Sequence, residues 1–525
     1  MSRFLDHIKR LKHLAAAPSS PPTPTTPALP LHERMSQLRH IAHQPPSANL
    51  WRRLTALLDA WPADEGDSLV VAVDYVAQHL DLAPWPDPLR VAPVTWWGDV
   101  SRGLAPPHWR LARTLDLSTC MGFGPEATAD LAASPHAASL THLDLSGRSI
   151  GASGARALAA SPWLAGLTWL SLRNTALTGE GVRAIAEAPH LDRLTWLDLS
   201  HTTVGLSGAR ALFRSPLLPR LTALSLASNT FLPPIGDDGL AHFFTSPTLA
   251  LTRLDLSHNA LSPDAARRLA DDPRLTGLQH LDLSRNPIAS EGTAALAASP
   301  WLARLTQLSL SAADLDTDAI DALADSPHLA RLTGLDLSRN PLRLRSIRRL
   351  CASPHLTRLT RLDLSHLPLP HHAAAALAEA PNLARLTWLD LSGSLIGPEG
   401  LTHLARSPHL RHLTTLRLDR TMPGEVGVAA LARSEVLTRL ETLSLANNAL
   451  EDQAVVALAA SPYLRNLTRL DLSDNRVSNR GALALAHSPH LARLRRLDLP
   501  NNLIHLSGRR ALNSSPYLRG CHVLL

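Results

Sequence analysis

The chain is 525 residues long and 45% hydrophobic but only 4% aromatic, so its apolar material is mostly leucine and alanine. A core of small aliphatic side chains at this length excludes a single varied globule and points to many similar thin layers. The formal net charge of +6 is carried by arginines spread along the whole chain, with Lys9 and Lys12 the only lysines, so no focused footprint for nucleic acid emerges.

The preference for arginine, with abundant alanine and proline, suits a GC-rich, bacterial genome. Three cysteines exclude a disulfide framework and fit a reducing compartment. No apolar run reaches the ~18 residues needed to span a bilayer. The first residues, MSRFLDHIKRLKHL, alternate apolar and basic and lack the apolar stretch of a secretory signal. A cytoplasmic location is expected.

In chain order, the opening segment could form a short helix with Phe4, Leu5, Ile8 and Leu11 on one face and Arg3, Lys9, Arg10 and Lys12 beside it. It reads as a loose tail, or as a contact for an anionic membrane or a partner groove. Residues 15–33 are rich in Pro, Ser and Thr, so 1–33 is expected to be a disordered tail with an extended linker. Residues 34–110 do not repeat and hold six of the eleven tryptophans, Trp51, Trp61, Trp85, Trp96, Trp97 and Trp109. LWRRLTALLDAW and SLVVAVDYVAQHL have helical periodicity, which predicts a small helical domain capping a repeat array.

From residue 111 one pattern runs to the end. The first leucine of an LxL core falls at Leu115, Leu143, Leu170, Leu197, Leu224, Leu254 and onward to Leu497, and Leu524 continues the series. Thirteen of the fifteen intervals are 27 residues, the others 28 and 30. In LTRLDLS, Leu467, Leu470 and Leu472 are expected to point inward, since strand side chains alternate. Val477 returns to the core, Gly481 to Ala486 form a helix, and Ser488-Pro489 stop it. Asparagine five residues after the first leucine (Asn229, Asn259, Asn286, Asn340, Asn448, Asn475, Asn502) can satisfy backbone groups at the strand end. Thr175, Thr202, Thr421 and Cys120 fill the same column elsewhere. Each unit is strand, turn, helix, turn, which predicts an α/β solenoid of about fifteen repeats, with a curved parallel sheet inside and helices outside.

The unit SPxLxxLTxLDLSxNxIxxxGAxALA resembles the ribonuclease-inhibitor-like class of leucine-rich repeats, which also builds the repeat domains of RanGAP and NOD-like receptors. The chain is similar as well to bacterial leucine-rich-repeat proteins with an N-terminal repeat-companion domain. QPPSANLWRRLTALLDAWPADEGD has the Pro, Trp and Gly-Asp spacing of that domain but lacks its acidic Asp-Trp-Leu-Glu run. The GAxALA signature also resembles the repeats of plant-pathogen effectors that carry an F-box, and no F-box is found here. The resemblance implies protein binding and transfers no catalytic residue.

The residue between the two strand leucines is Asp in ten of fifteen strands, Asp198, Asp255 and Asp282 among them. With parallel strands ~4.8 Å apart this is an acidic ladder. Arginines two residues earlier, Arg253, Arg361, Arg469 and Arg496, could relieve it, leaving either a repeat consensus with each Asp bonded to neighbouring arginines and serines or a trough for a basic partner. The column before the first leucine varies, with His142, Trp169, Trp196, Ala223, Arg253, His280, Gln307, Gly334, Arg361 and Trp388 in it. Trp169 and Trp196 stand in adjacent strands, either as a binding hot spot or as a structural stack. The histidines of SPHL (His136, His190, His328, His355, His409, His490) read as surface turns, because zinc needs convergent ligands. Cys120, Cys351 and Cys521 read as core substitutes. No P-loop, GxSxG elbow, HExxH, CxxC pair or kinase lysine is present. The sequence therefore predicts a monomeric, non-catalytic protein without metal or cofactor. It is expected to bind a protein rather than nucleic acid on the concave face, as a scaffold or sensor or as an exported effector acting on a host protein.

Overall fold

The structure, a computed structural model, describes residues 29–62, 66–82, 85–101, 106–228, 233–246 and 248–525. The tail expected over 1–33 lies outside them apart from its last five residues, and Leu31 already begins a helix; Asn229 also lies outside. The chain forms two compact units, Met1–Thr119 with Ser134–Asp144, and Cys120–Ala133 with Leu145–Leu525.

In the first unit, α1 (Leu31–Ala42), α2 (Ala48–Asp59) and α3 (Gly66–Leu82) enclose a core of Leu38, Leu54, Leu58, Val73, Val76 and Trp51. The periodicity of LWRRLTALLDAW thus became α2, started by Ser47, whose Oγ accepts from Leu50 N at 3.2 Å. All six tryptophans are buried. Buried indole N–H groups need partners, and Trp51 donates to Val91 O (2.7 Å), Trp61 to Ser68 Oγ (2.8 Å), Trp96 to Asp59 Oδ1 (2.6 Å) and Trp109 to His136 O (2.7 Å). Burial lowers the His108 pKa, against the pull of Asp59 at 3.3 Å and of Asp99. β1 (Thr114–Asp116) pairs in parallel with β2 (His142–Asp144). On its other edge, Arg90 O accepts from Thr114 N at 3.1 Å, and Ala92 N donates to Thr114 O at 2.8 Å.

In the second unit the strands follow one another in register. They are β3 (Trp169–Ser171), β4 (Trp196–Asp198), β5 (Ala223–Ser225), β6 (Arg253–Asp255), β7 (His280–Asp282), β8 (Gln307–Ser309) and β9 (Gly334–Asp336). Then come β10 (Arg361–Asp363), β11 (Trp388–Asp390), β12 (Thr415–Arg417), β13 (Thr442–Ser444), β14 (Arg469–Asp471), β15 (Arg496–Asp498) and β16 (His522–Leu524). Leu470 pairs with Leu497 and Leu443, and Leu467, Leu470, Leu472 and Val477 are all buried. The final strand corrects the leucine series: Val523, not Leu524, faces Leu497. The last turn keeps its predecessors' bond, Cys521 N to Leu518 O, and then loses one residue before the strand.

Between strands the repeats carry a short helix, such as Asn479–Ala486, followed in most of them by a Pro-initiated turn. The serine before that proline does more than end the helix. Ser353 Oγ donates to Ala324 O at 2.6 Å and Ser407 Oγ to Ala378 O at 2.5 Å, so each ties its turn to the preceding helix end. Asparagine works as its chemistry requires: Asn286 Nδ2 donates to Leu256 O and Leu283 O (3.0 and 2.9 Å), while its Oδ1 accepts from Asn259 N and Leu261 N (2.8 and 3.0 Å). A hydroxyl at this column does part of that; Thr421 Oγ1 reaches only Leu418 O, at 2.7 Å. The three cysteines are half-buried rather than fully inside.

Candidate binding face

The residues on either side of each inward leucine point to the sheet face opposite the helices. In β3 and β4, Trp169 and Trp196 are paired in register and stack with ring centroids 4.3 Å apart and planes 10° from parallel. Both are half-buried. Beside them Asp198 is buried, its Oδ1 accepting from Ser200 N at 2.8 Å.

Further along, β6 to β11 frame a depression of about 320 Å³. One rim carries Arg253, His280, Gln307, Arg361 and Trp388, and the other Asp255, Asp282, Ser309, Asp336 and Asp363. The Arg361 guanidinium lies over the Trp388 ring at 4.4 Å, the planar stacking that arginine favours. Gly334 leaves the notch that the Gln307 amide fills; a Cβ there would come within 1.8 Å of Gln307 Oε1. Gln307 Nε2 donates to Thr333 Oγ1 at 2.9 Å. Partial burial, then the Arg253 charge, lower the His280 pKa, which favours the neutral ring.

The acidic ladder is held by the expected serines more than by the expected arginines. Of the four arginines two residues before an aspartate, only Arg496 pairs with its own, Nε to Asp498 Oδ2 at 2.8 Å, among the described residues. The usual partner is the backbone N–H of the serine two residues on: Asp255 Oδ1 accepts from Ser257 N (3.0 Å), Asp282 from Ser284 (2.8 Å), Asp336 from Ser338 (2.9 Å) and Asp363 from Ser365 (2.9 Å). Neighbouring hydroxyls add bonds, Ser225 Oγ to Asp255 Oδ2 at 2.9 Å and Ser309 Oγ to Asp336 Oδ2 at 3.2 Å. These bonds do not cancel the crowding. Burial, then the Asp255 charge, push Asp282 up to about 6. Burial also raises Asp336, Asp363 and Asp390, with the next carboxylate along adding to it.

Of the nine residues singled out from sequence, the depression gathers Arg253, Asp255, His280, Asp282, Arg361 and Trp388. Trp169, Trp196 and Asp198 lie apart on β3 and β4. Sequence reading placed Gln307 and Gly334 in the variable column without singling them out; their signal was an amide and a glycine side by side in a column otherwise rich in large side chains. Among the described residues no three His, Cys, Asp or Glu converge on a point that could hold a metal ion.

A family model described as "Leucine Rich repeat" matches residues 136–159, 250–270, 275–297 and 463–486. In these four stretches the chain matches the leucine-rich-repeat family. Its fold is the expected α/β leucine-rich-repeat solenoid, a parallel sheet with helices on one side, together with a helical N-terminal region. Among solved structures, the chain is similar to an internalin from Listeria monocytogenes, at 19% identity over 74% of this chain and 88% of that one, TM-score 0.36. It is similar to a leucine-rich-repeat protein of Leptospira interrogans, at 20% identity over 80% and 92%, TM-score 0.38. A third similar structure is the complex of Rad7 and Elc1 from yeast, at 15% identity over 91% and 98%, TM-score 0.44. No curated protein matches the sequence. No helix among the described residues is long and apolar enough to cross a membrane.

Proposed function

We propose that this leucine-rich-repeat protein is a non-catalytic scaffold that binds a protein partner on the sheet face opposite its helices. The observation that carries the reading is the depression over β6 to β11, where Arg361 is already stacked on Trp388 above a row of carboxylates. A pre-set arginine–aromatic pair loses little freedom on binding, and Arg and Trp are the side chains that most often dominate an interface. The 27-residue strand–helix unit supports the ribonuclease-inhibitor-like class. We read residues 34–110 as the cap of the array, supported by the Arg90–Ala92 segment bonded along the outer edge of β1, which would otherwise expose unpaired N–H and C=O groups.

The test is site-specific photo-crosslinking of the full chain in extracts of its own cells. A crosslinker at Gln307, inside the depression, is expected to trap a discrete protein adduct. One at Glu291, exposed on the helix Ala289–Ala298, is expected to trap none. Adducts from Glu291 alone, or equal adducts from both, would move the binding surface off the sheet.

A further inference from the structure

Arginines that look dispersed along the sequence recur at one repeat position, four residues before the first strand leucine. Arg304, Arg331, Arg358, Arg385, Arg439 and Arg493 hold it in six of the eight repeats from β8 to β15, with His412 and Asn466 in the other two. These strands pair in register. The residue two places after each arginine is bonded to its counterpart in the preceding repeat: Thr333 N to Thr306 O and Thr360 N to Thr333 O at 2.8 Å, Thr387 N to Thr360 O at 2.9 Å. A 27-residue interval in sequence thus becomes one step of ~4.8 Å in space. The arginines form a row along the edge where the chain enters the sheet.

All six are exposed. Arg439 reaches only His412 Nδ1 at 3.3 Å, and Arg493 only Asn466 Oδ1 at 2.9 Å; among the described residues none of the six makes an ion pair. In the threonine column beside the row, Glu441 is the one acid from β8 to β15. Like charges at this spacing repel, and a ligand that itself repeats negative charge relieves them all together.

We infer that this edge docks an extended acidic segment of a partner protein. The inference rests on the reading of the chain as protein-binding and adds a second surface and a chemistry to it. Guanidinium and carboxylate match as planar two-point partners. An extended peptide turns alternate side chains to one side every ~6.6 Å, a step that flexible Glu and Arg can reconcile with the row. A nucleic-acid duplex fits poorly, since its phosphate backbones wind away from a straight line. A single strand would want stacking surfaces along the row, and of the three exposed large aromatics among the described residues, Trp163, Trp301 and Tyr517, Trp301 stands three residues before Arg304 and Tyr517 one repeat beyond Arg493, leaving the stretch between without one.

The experiment uses the full chain and a fluorescein-labelled oligo-glutamate peptide, read by anisotropy at low and raised salt. The parent is expected to bind the peptide, more weakly as salt rises. The variant Arg331→Glu, Arg358→Glu, Arg385→Glu should lose at least about tenfold in affinity while keeping its circular-dichroism melt. If that variant folds poorly, Arg→Gln at the same positions keeps the volume and should show the same direction of loss. A parallel titration uses oligo-uridylate RNA of equal charge. Undetectable peptide binding, or affinity unchanged by either set of substitutions, overturns the proposal. So does tighter binding of the RNA that the same substitutions abolish, which would make the edge a nucleic-acid site. Failure of the crosslinking at Gln307 would leave this edge untouched and count against the sheet-face reading alone.

Discussion

Burial and the Asp255 carboxylate hold Asp282 up at about 6, against an ordinary value of 3.8. The folded chain therefore keeps a proton there that the unfolded chain releases, so stability falls as pH rises from 3.8 to about 6 and stays lower above it. Asp282→Asn removes the ionisation but keeps an oxygen to accept from Ser284 N. The variant is expected to be more stable than the parent by about 1–2 kcal/mol near pH 7, with the gain shrinking towards about pH 4. Urea melts across that range measure it; a pH slope identical to the parent's would mean the carboxylate is better solvated than its surroundings imply. The row of aspartates was legible in the sequence because alternation along a strand fixes which residues share a face. Which of the expected partners, serine or arginine, holds the charge was not. A backbone N–H two residues away is fixed in place, whereas an arginine must give up several rotamers to bond its neighbour. In β10, moreover, the ring of Trp388 competes for Arg361.

At the level of elements, the sequence columns translate directly into strands of three residues, because one inward leucine between two outward residues is all that each strand needs. Pairing in register then brings Trp169 onto Trp196, with the rings stacked. A double-mutant cycle with Trp169→Ala and Trp196→Ala should give a coupling of about 0.5–1.5 kcal/mol in stability. Additive losses would show that the rings lie side by side without stabilising each other. The sequence could not show that this pair and the Arg361–Trp388 pair belong to different strand groups with a depression under only one of them, since that depends on side-chain volumes across six strands. The slip at β16 has a simpler origin. A single missing residue between Cys521 and Val523 leaves no trace where no consensus residue marks the place.

For the array as a whole, the ties between repeats are local and alike. Turn serines such as Ser407 bond the previous helix end, asparagines such as Asn286 the previous strand end, and inner strands their two neighbours. Stability is then close to a sum of equal increments, since each of these ties joins a repeat to the adjacent one. Removing Leu470–Leu525 takes away β14, β15 and β16 with their helices and uncovers the apolar side of one repeat. The shortened chain is expected to stay folded, with the circular-dichroism signal per residue nearly unchanged and a lower melting temperature. Its urea m-value should fall in proportion to the surface removed. Loss of all helical and strand signal on this deletion would mean that the last repeats nucleate the others, and that stability passes along the array in one direction rather than residing in each interface.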